Sequence, residues 1–289
     1  LATIPSTPAP SRSWQRLVRS PSAWTGGAIV AAILLVALTA DWLAPYRLDQ
    51  ALSVENIAHR PTTEHWLGTD ELGKDVLSRV MFGSRLSLSA GLLSILLAVA
   101  LGAPTGAIAG YFGGRTDTLL MRAIDVALAF PSVLIALLVS AAYGPSWAAV
   151  VIAVGLINVP VFARQVRATV LSVAQLDYVL ASRAFGASPL HVVTREILPS
   201  LISPVVVLAS LSLGTAILEV AGLSFLGLGG DQTIAEWGAM LTRAKTYWSS
   251  NAWLALGPGA AISLTVLGFN LLGDGLRDAL DPRSEATLL

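Results

Sequence analysis

Charge-free apolar runs set the plan of this chain: residues 23–40, 86–112, 126–163, 197–218 and a stretch within 246–273 contain no Asp, Glu, Lys or Arg. A helix needs roughly 20 apolar residues to cross the hydrocarbon core of a bilayer, so these runs predict membrane spans. Residues 126–163 are too many for one crossing. Tyr143-Gly144-Pro145-Ser146 inside them is a turn signal, and it divides the run into a third and a fourth span. Six transmembrane helices follow, and with them an all-α polytopic membrane protein.

Between the runs, polar residues fall in a few blocks. Residues 1–22 are rich in Pro and Ser, carry Arg12, Arg16 and Arg19, and read as a flexible tail. Residues 23–43 hold the first span, 44–84 form a polar segment beyond it, 85–280 hold a five-helix core, and 281–289 are a short tail. Within the first polar segment, His65-Trp66-Leu67-Gly68-Thr69-Asp70 followed by Gly73-Lys74-Asp75-Val76-Leu77-Ser78-Arg79 predicts a turn leading into an amphipathic helix lying on the membrane. A second polar segment covers residues 222–251. It contains Gly227-Leu228-Gly229-Gly230, then Trp237, Tyr247 and Trp248, aromatic residues suited to the headgroup level.

Composition sharpens this picture. The 289 residues are 54% apolar and 12% charged, half the roughly 25% charged content of soluble domains. Net charge is zero, which removes any long-range field for nucleic acid, and the absence of cysteine excludes disulfides, thiolate metal sites and Cys nucleophiles. The first apolar run, preceded by three Arg, also fits a cleaved secretory signal. The long tail before it and the lack of a small-x-small site favour a retained helix.

Six spans put both termini on one side of the membrane. That side carries Arg12, Arg16, Arg19, Arg115, Arg122, Arg164, Arg167, Arg183, Arg195, Arg277 and Arg283, eleven bases against seven on the other (Arg47, Arg60, Lys74, Arg79, Arg85, Arg243 and Lys245). Five of the seven sit in or beside the long first polar segment, which weighs less in the positive-inside rule. Both termini are therefore expected in the cytoplasm, together with residues 177–199, the loop before the fifth span.

That loop carries the candidate chemistry. Tyr178, Val179, Leu180, Ala181, Ser182, Arg183, Ala184 and Phe185 can form about two helical turns, Gly186 supplies a stop, and Pro189 forbids continuation. Ala181, Ser182, Ala184, Ala187 and Ser188 are small enough for another surface to approach the backbone, with Val179, Leu180 and Phe185 as apolar contacts. On residues alone, the loop suits a docking element and a partnerless surface helix equally.

The loop resembles the EAA loop of bacterial ABC importer permeases, in which Glu-Ala-Ala, three residues and Gly lie between spans. The matching positions are Leu180, Ala181, Ser182 and Gly186, closed downstream by Leu198-Pro199; Leu180 stands where the motif has Glu, and Ser182 where it has Ala. The resemblance extends over nearly the whole chain. Gly68-Thr69-Asp70, Ala109-Gly110-Tyr111-Phe112-Gly113-Gly114, Met121-Arg122 with Asp125, Ala129-Phe130-Pro131, the run from Gly222 through Gly229, and the run from Phe269 through Asp278 are similar to the C-type permease of the dipeptide/oligopeptide/nickel branch.

The resemblance implies a bacterial inner-membrane permease that pairs with a homologous permease and docks two ATPase subunits, or one fused ATPase chain. It also implies an extracytoplasmic solute-binding protein that delivers cargo. Peptides are the implied substrate, with nickel complexes or another small solute as the alternative. ATP and Mg belong to the partner ATPases. This chain has no G-x-x-x-x-G-K-[ST] stretch, and its Gly227–Gly230 run reads as tight turns. An ion-gradient transporter, a different class, needs ionisable residues in mid-span, and the central parts of the expected spans have none; a structural scaffold or receptor subunit is a third class.

Gly102, Gly106 and Gly110 recur every four residues, placing them on one helical face where a neighbouring helix can approach, with Pro104 as a bend. Asp125, Asn158, Glu219 and Asn270 are the polar residues in or beside spans; they suit either a conduit lining or gate, or structural roles, with the two acids at span ends within reach of water and Asn158 or Asn270 bridging two helices. Asp274, Arg277, Asp278 and Asp281 have spacings for helical charge pairs. His59, His65 and His191 lack ligand spacing, and no Ser/His/Asp set falls on one side. A non-catalytic subunit is the expectation, with its substrate-binding residues unknown.

Overall fold

A computed structural model describes residues 20–48, 50 and 57–280 of the chain. The expected tails, with Arg12, Arg16, Arg19, Asp281 and Arg283, lie outside these residues apart from 20–22. Among the described residues the protein is helical throughout, with one isolated bridge, Thr69 to Asp75.

Helix α1 (Pro21–Leu43) starts with Pro at its first position, where the missing N–H costs nothing. Helix α2 (Val76–Phe112) is capped by Asp75, whose carboxylate accepts from the Ser78 N–H at 2.8 Å. Helices α3 (Gly114–Ala129) and α4 (Ser132–Tyr143) meet at 92°. The break is local chemistry: Pro131 pushes Phe130 out of the helical region to ψ 132°. Helix α5 (Trp147–Val173) follows the Gly144 turn and is capped by Ser146. Helix α6 (Asp177–Ala184) is short. The single turn Pro189–His191 runs through a π-helical stretch, Val192–Ile197, into α7 (Leu198–Phe225). Helix α8 (Trp237–Thr246) and two short turns then precede α9 (Leu256–Leu280).

Among the described residues, five helices are long and apolar enough to cross a bilayer, and the bent α3–α4 pair makes a sixth if taken as one span. The division at Tyr143–Ser146 is as expected. The third span is not the straight helix that residues 126–143 suggested, because α4 alone is only about 18 Å long. Two further expectations fail at the helix starts. Residues 76–84 do not form a separate surface helix but the first turns of α2. Likewise, Leu198-Pro199 does not open the fifth span: Pro189–Phe225 is one continuous rod, its π turn immediately before Pro199. The Leu198 N–H reaches back to Val193, one residue further than in an α-helix. That widening makes room for a proline ring.

Helix α5 packs along α2, and α7 lies beside both, with α9 bridging α7 and α1. The α2–α5 seam is the glycine face read from the sequence. A Cβ on Gly102 would lie 2.6 Å from the Val159 carbonyl oxygen, one on Gly106 2.2 Å from that of Ala163, and one on Gly110 2.9 Å from Val170 Cβ. Close backbone approach of this kind is what binds helices in a medium as apolar as their own side chains.

Candidate functional site

Helix α6 is held at one end of the bundle by a single buried side chain. Val179 is fully buried among Val166, Val170 and Val173 of α5, Val192 and Ile197 of the π stretch, and Leu201. Val179 therefore anchors the loop to its own body and is not one of the apolar contacts offered outward. Arg183 adds a second tie, its guanidinium 4.8 Å from the ring centre of Tyr111 near the end of α2. Asp177 in the first turn and Arg183 in the last match the helix dipole.

The loop after α6 is shaped by Gly186. Its φ of +85° is open to glycine at no steric cost. Gly186 N–H donates to the Arg183 carbonyl and Ala187 N–H to that of Ser182, the paired bonds of a Schellman cap. Ser188 then accepts from the His191 N–H and starts the next turn. Tyr178, Leu180, Ala181, Ala184 and Ser188 remain exposed, while Ser182 and Ala187 are half-buried. Phe185 is 93% exposed and Leu190 73%, two large apolar groups standing clear of the body that carries them. Leu198 and Pro199 lie exposed on α7.

The charges on α3 tie it to α5 at the same end. Arg167 donates to both Asp117 oxygens at 2.5 and 2.6 Å, and Arg164 to Asp125 at 2.6 Å. The expected pair Asp274–Arg277 does not form among the described residues; Arg277 instead lines a 400 Å³ cavity with Gln165 and Ser203.

In the bundle interior, Asn158 of α5 donates to the Val154 carbonyl at 2.9 Å and to Glu219 Oε2 at 2.8 Å. Glu219 is not at a span end: α7 continues six residues beyond it to Phe225. The Asn158 reading, a bridge between two helices, holds. Asn270 is half-buried near Gly214, its Oδ1 3.4 Å from where a Cβ there would sit.

At the opposite end, the segment before α8 is folded into the bundle. Arg79, 2% exposed, pairs with Asp70 at 2.9 Å and donates to the carbonyls of Thr233 and Ile234. Glu236 caps α8, accepting from Gly238 N–H, Ala239 N–H and the Ser87 hydroxyl. Trp237 is buried rather than interfacial, its indole N–H donating to the Val80 carbonyl. Asp231 accepts from the Thr233 N–H and hydroxyl, which holds its carboxyl below the usual carboxylate range. Gly227 (φ +88°) and Gly230 (φ +83°) are tight turns, as the sequence suggested; a Cβ on Gly230 would meet the Pro145 carbonyl oxygen at 2.6 Å. His65 lies 3.0 Å from Asp75 and stacks near Tyr46, a structural contact.

Comparison with known proteins covers almost all of this architecture. Residues 102–285 match a family model described as binding-protein-dependent transport system inner membrane component. Residues 11–61 match one described as N-terminal TM domain of oligopeptide transport permease C. The chain is 42% identical over 289 residues to glutathione transport system permease protein GsiD of Pectobacterium atrosepticum, covering 98% of this chain and 96% of that protein. It is 43% identical over 270 residues to GsiD of Escherichia coli O157:H7, covering 93% and 89%. Over 277 residues it is 40% identical to dipeptide transport system permease protein DppC of Alkalihalophilus pseudofirmus, covering 95% and 90%.

Proposed function

This chain belongs to the family of binding-protein-dependent transport system inner membrane components, as a peptide-type ABC importer permease, and we propose a working arrangement for it. It is a multi-pass inner-membrane subunit of an importer that also has ATPase and binding-protein components. In the arrangement we propose, it forms one half of the translocation path beside a homologous permease, with both termini cytoplasmic. The cargo is a small peptide, in keeping with the glutathione and dipeptide systems of its relatives. The chain itself is non-catalytic and binds no cofactor; ATP and Mg sit in the ATPase subunits.

One observation carries the docking assignment. Helix α6, whose only deeply buried side chain is Val179, leads directly into Phe185 and then Leu190, both exposed. Exposed aromatic anchors of this kind mark contact sites. An ATPase subunit gripping Phe185 would pull on α6, and Val179 passes the displacement to α5 and to the start of α7 together, since all three meet in one cluster. Tilting of those two spans then switches access. The lever acts through packing.

Gly186→Gln tests this. A side chain at φ +85° costs about 1–2 kcal/mol, yet nothing lies within 4 Å of the new Cβ, so the bundle survives. The expected result is normal membrane insertion with weakened ATPase association and uptake. Normal association and uptake would refute the docking assignment.

A further inference from the structure

Glu219 is a carboxylate in a place where a membrane helix does not tolerate one without a reason. It lies six residues, or about 9 Å, inside the end of α7. Asn158 occupies Oε2, while Oε1 has no hydrogen-bond partner and no cation lies within salt-bridge distance among the described residues. The side chain is half-buried and reaches open space: Thr215 and Leu218 beside it are exposed, and a Cβ on Gly222, one turn further, would meet nothing within 4 Å. A charged group on such a face would confront lipid unless the face is turned to a water-filled path or another subunit.

The same face of α7 continues toward the other end through Leu211, Leu208 and Pro204. There it opens on the 400 Å³ cavity that also holds Gln165, Ser203 and Arg277. The face of α7 thus carries an acid near one end and meets Arg277 of α9 at the other, with Leu211, Leu208 and Pro204 between them. Polar groups of opposite sign at two depths suit a zwitterionic cargo.

We propose that Glu219, held in place by Asn158, is a cargo contact in the path that recognises a cationic side chain of the transported peptide, such as that of lysine. The proposal rests on the importer reading above. Asn158 is a positioning residue: it fixes one oxygen and leaves the other aimed into the open face.

The test uses the assembled importer, with both permeases, its ATPases and its binding protein, in proteoliposomes. Uptake of the dipeptides Lys-Ala and Glu-Ala, each saturating for the binding protein, is measured for the parent, Glu219→Gln and Glu219→Asp. Because a hydrogen bond to a charged group is worth a factor of ten or more, Glu219→Gln is expected to lower the Lys-Ala to Glu-Ala uptake ratio about tenfold, and Glu219→Asp to restore most of it. An unchanged ratio overturns the proposal. So does an equal fall for both dipeptides with loss of the permease pair on native gels, which would make Glu219 an ion-pair partner of the other permease. Uptake of neither dipeptide by the unaltered importer overturns the small-peptide cargo reading on which the proposal rests.

Discussion

Gly106→Ala isolates the close approach of α2 and α5. The new Cβ would sit 2.2 Å from the Ala163 carbonyl oxygen and 3.0 Å from both the Ala163 carbonyl carbon and the Arg167 nitrogen. Ordinary van der Waals contact begins at 3.4 Å, so the two backbones must part by about 1.2 Å, or 3.4 minus 2.2. All three obstructing atoms are backbone, so no rotamer change relieves the clash. Overpacking of a tight interior costs typically about 1–3 kcal/mol. At ~2–4 °C per kcal/mol for a protein of this size, the melting midpoint in detergent falls by several degrees. Gly259→Ala in α9 is the control: it makes the same change in a helix where nothing lies within 4 Å. The distances also rank a series, with Gly106→Ala worst, Gly102→Ala next against the Val159 oxygen at 2.6 Å, and Gly110→Ala mildest, its nearest atoms being Val170 Cβ at 2.9 Å and the Arg167 oxygen at 3.0 Å. Static light-scattering melts of the four purified variants, read against the parent, give the order. Should Gly106→Ala melt with Gly259→Ala, the α2–α5 seam is not the tight contact described.

Other perturbations follow from the same structure. Arg79→Met leaves Asp70 and the Thr233 and Ile234 carbonyls without their buried partner, which costs about 3–5 kcal/mol; the variant should accumulate poorly in membranes, and pairing it with Asp70→Asn should recover part of the loss. Val179→Ala removes two buried methyl groups, about 2 kcal/mol of packing; limited proteolysis should then cut within residues 177–190 at a rate the parent does not show. Phe185→Ala should leave the melting midpoint unchanged, because the ring touches little of its own chain, while weakening co-purification of the ATPase subunits.

Signals that depend on neighbours in the chain were readable in advance, and those that depend on neighbours in space were not. The glycine spacing 102, 106, 110 states a helix face, and Gly186 states a left-handed cap; both are local and both stand in the structure. The charges misled. Arg79 and Arg85 set the expected start of the second span, yet Arg79 is inside the helix because Asp70 and two distant carbonyls neutralise it. Glu219 ended the fifth span on paper for the same reason, and Asn158 is the partner that lets the helix run on. The π stretch that absorbs Pro199 leaves no mark in hydropathy. An eight-residue helix is too short for its pattern to say which side faces in, so Val179 could be placed only by the cluster that surrounds it.

The π-helical stretch Val192–Ile197 has a consequence for heredity as well as for shape. It stores one surplus residue between the membrane rod and the lever. Deleting a single residue there would return the coil to ordinary pitch and drive the Pro199 ring against the carbonyl four residues before it, bending the rod at the foot of the lever. Phe185 and Leu190 would then point at a different quadrant. A three-nucleotide loss in this short window would leave the rest of the membrane rod intact and still aim its handle past whatever grips it.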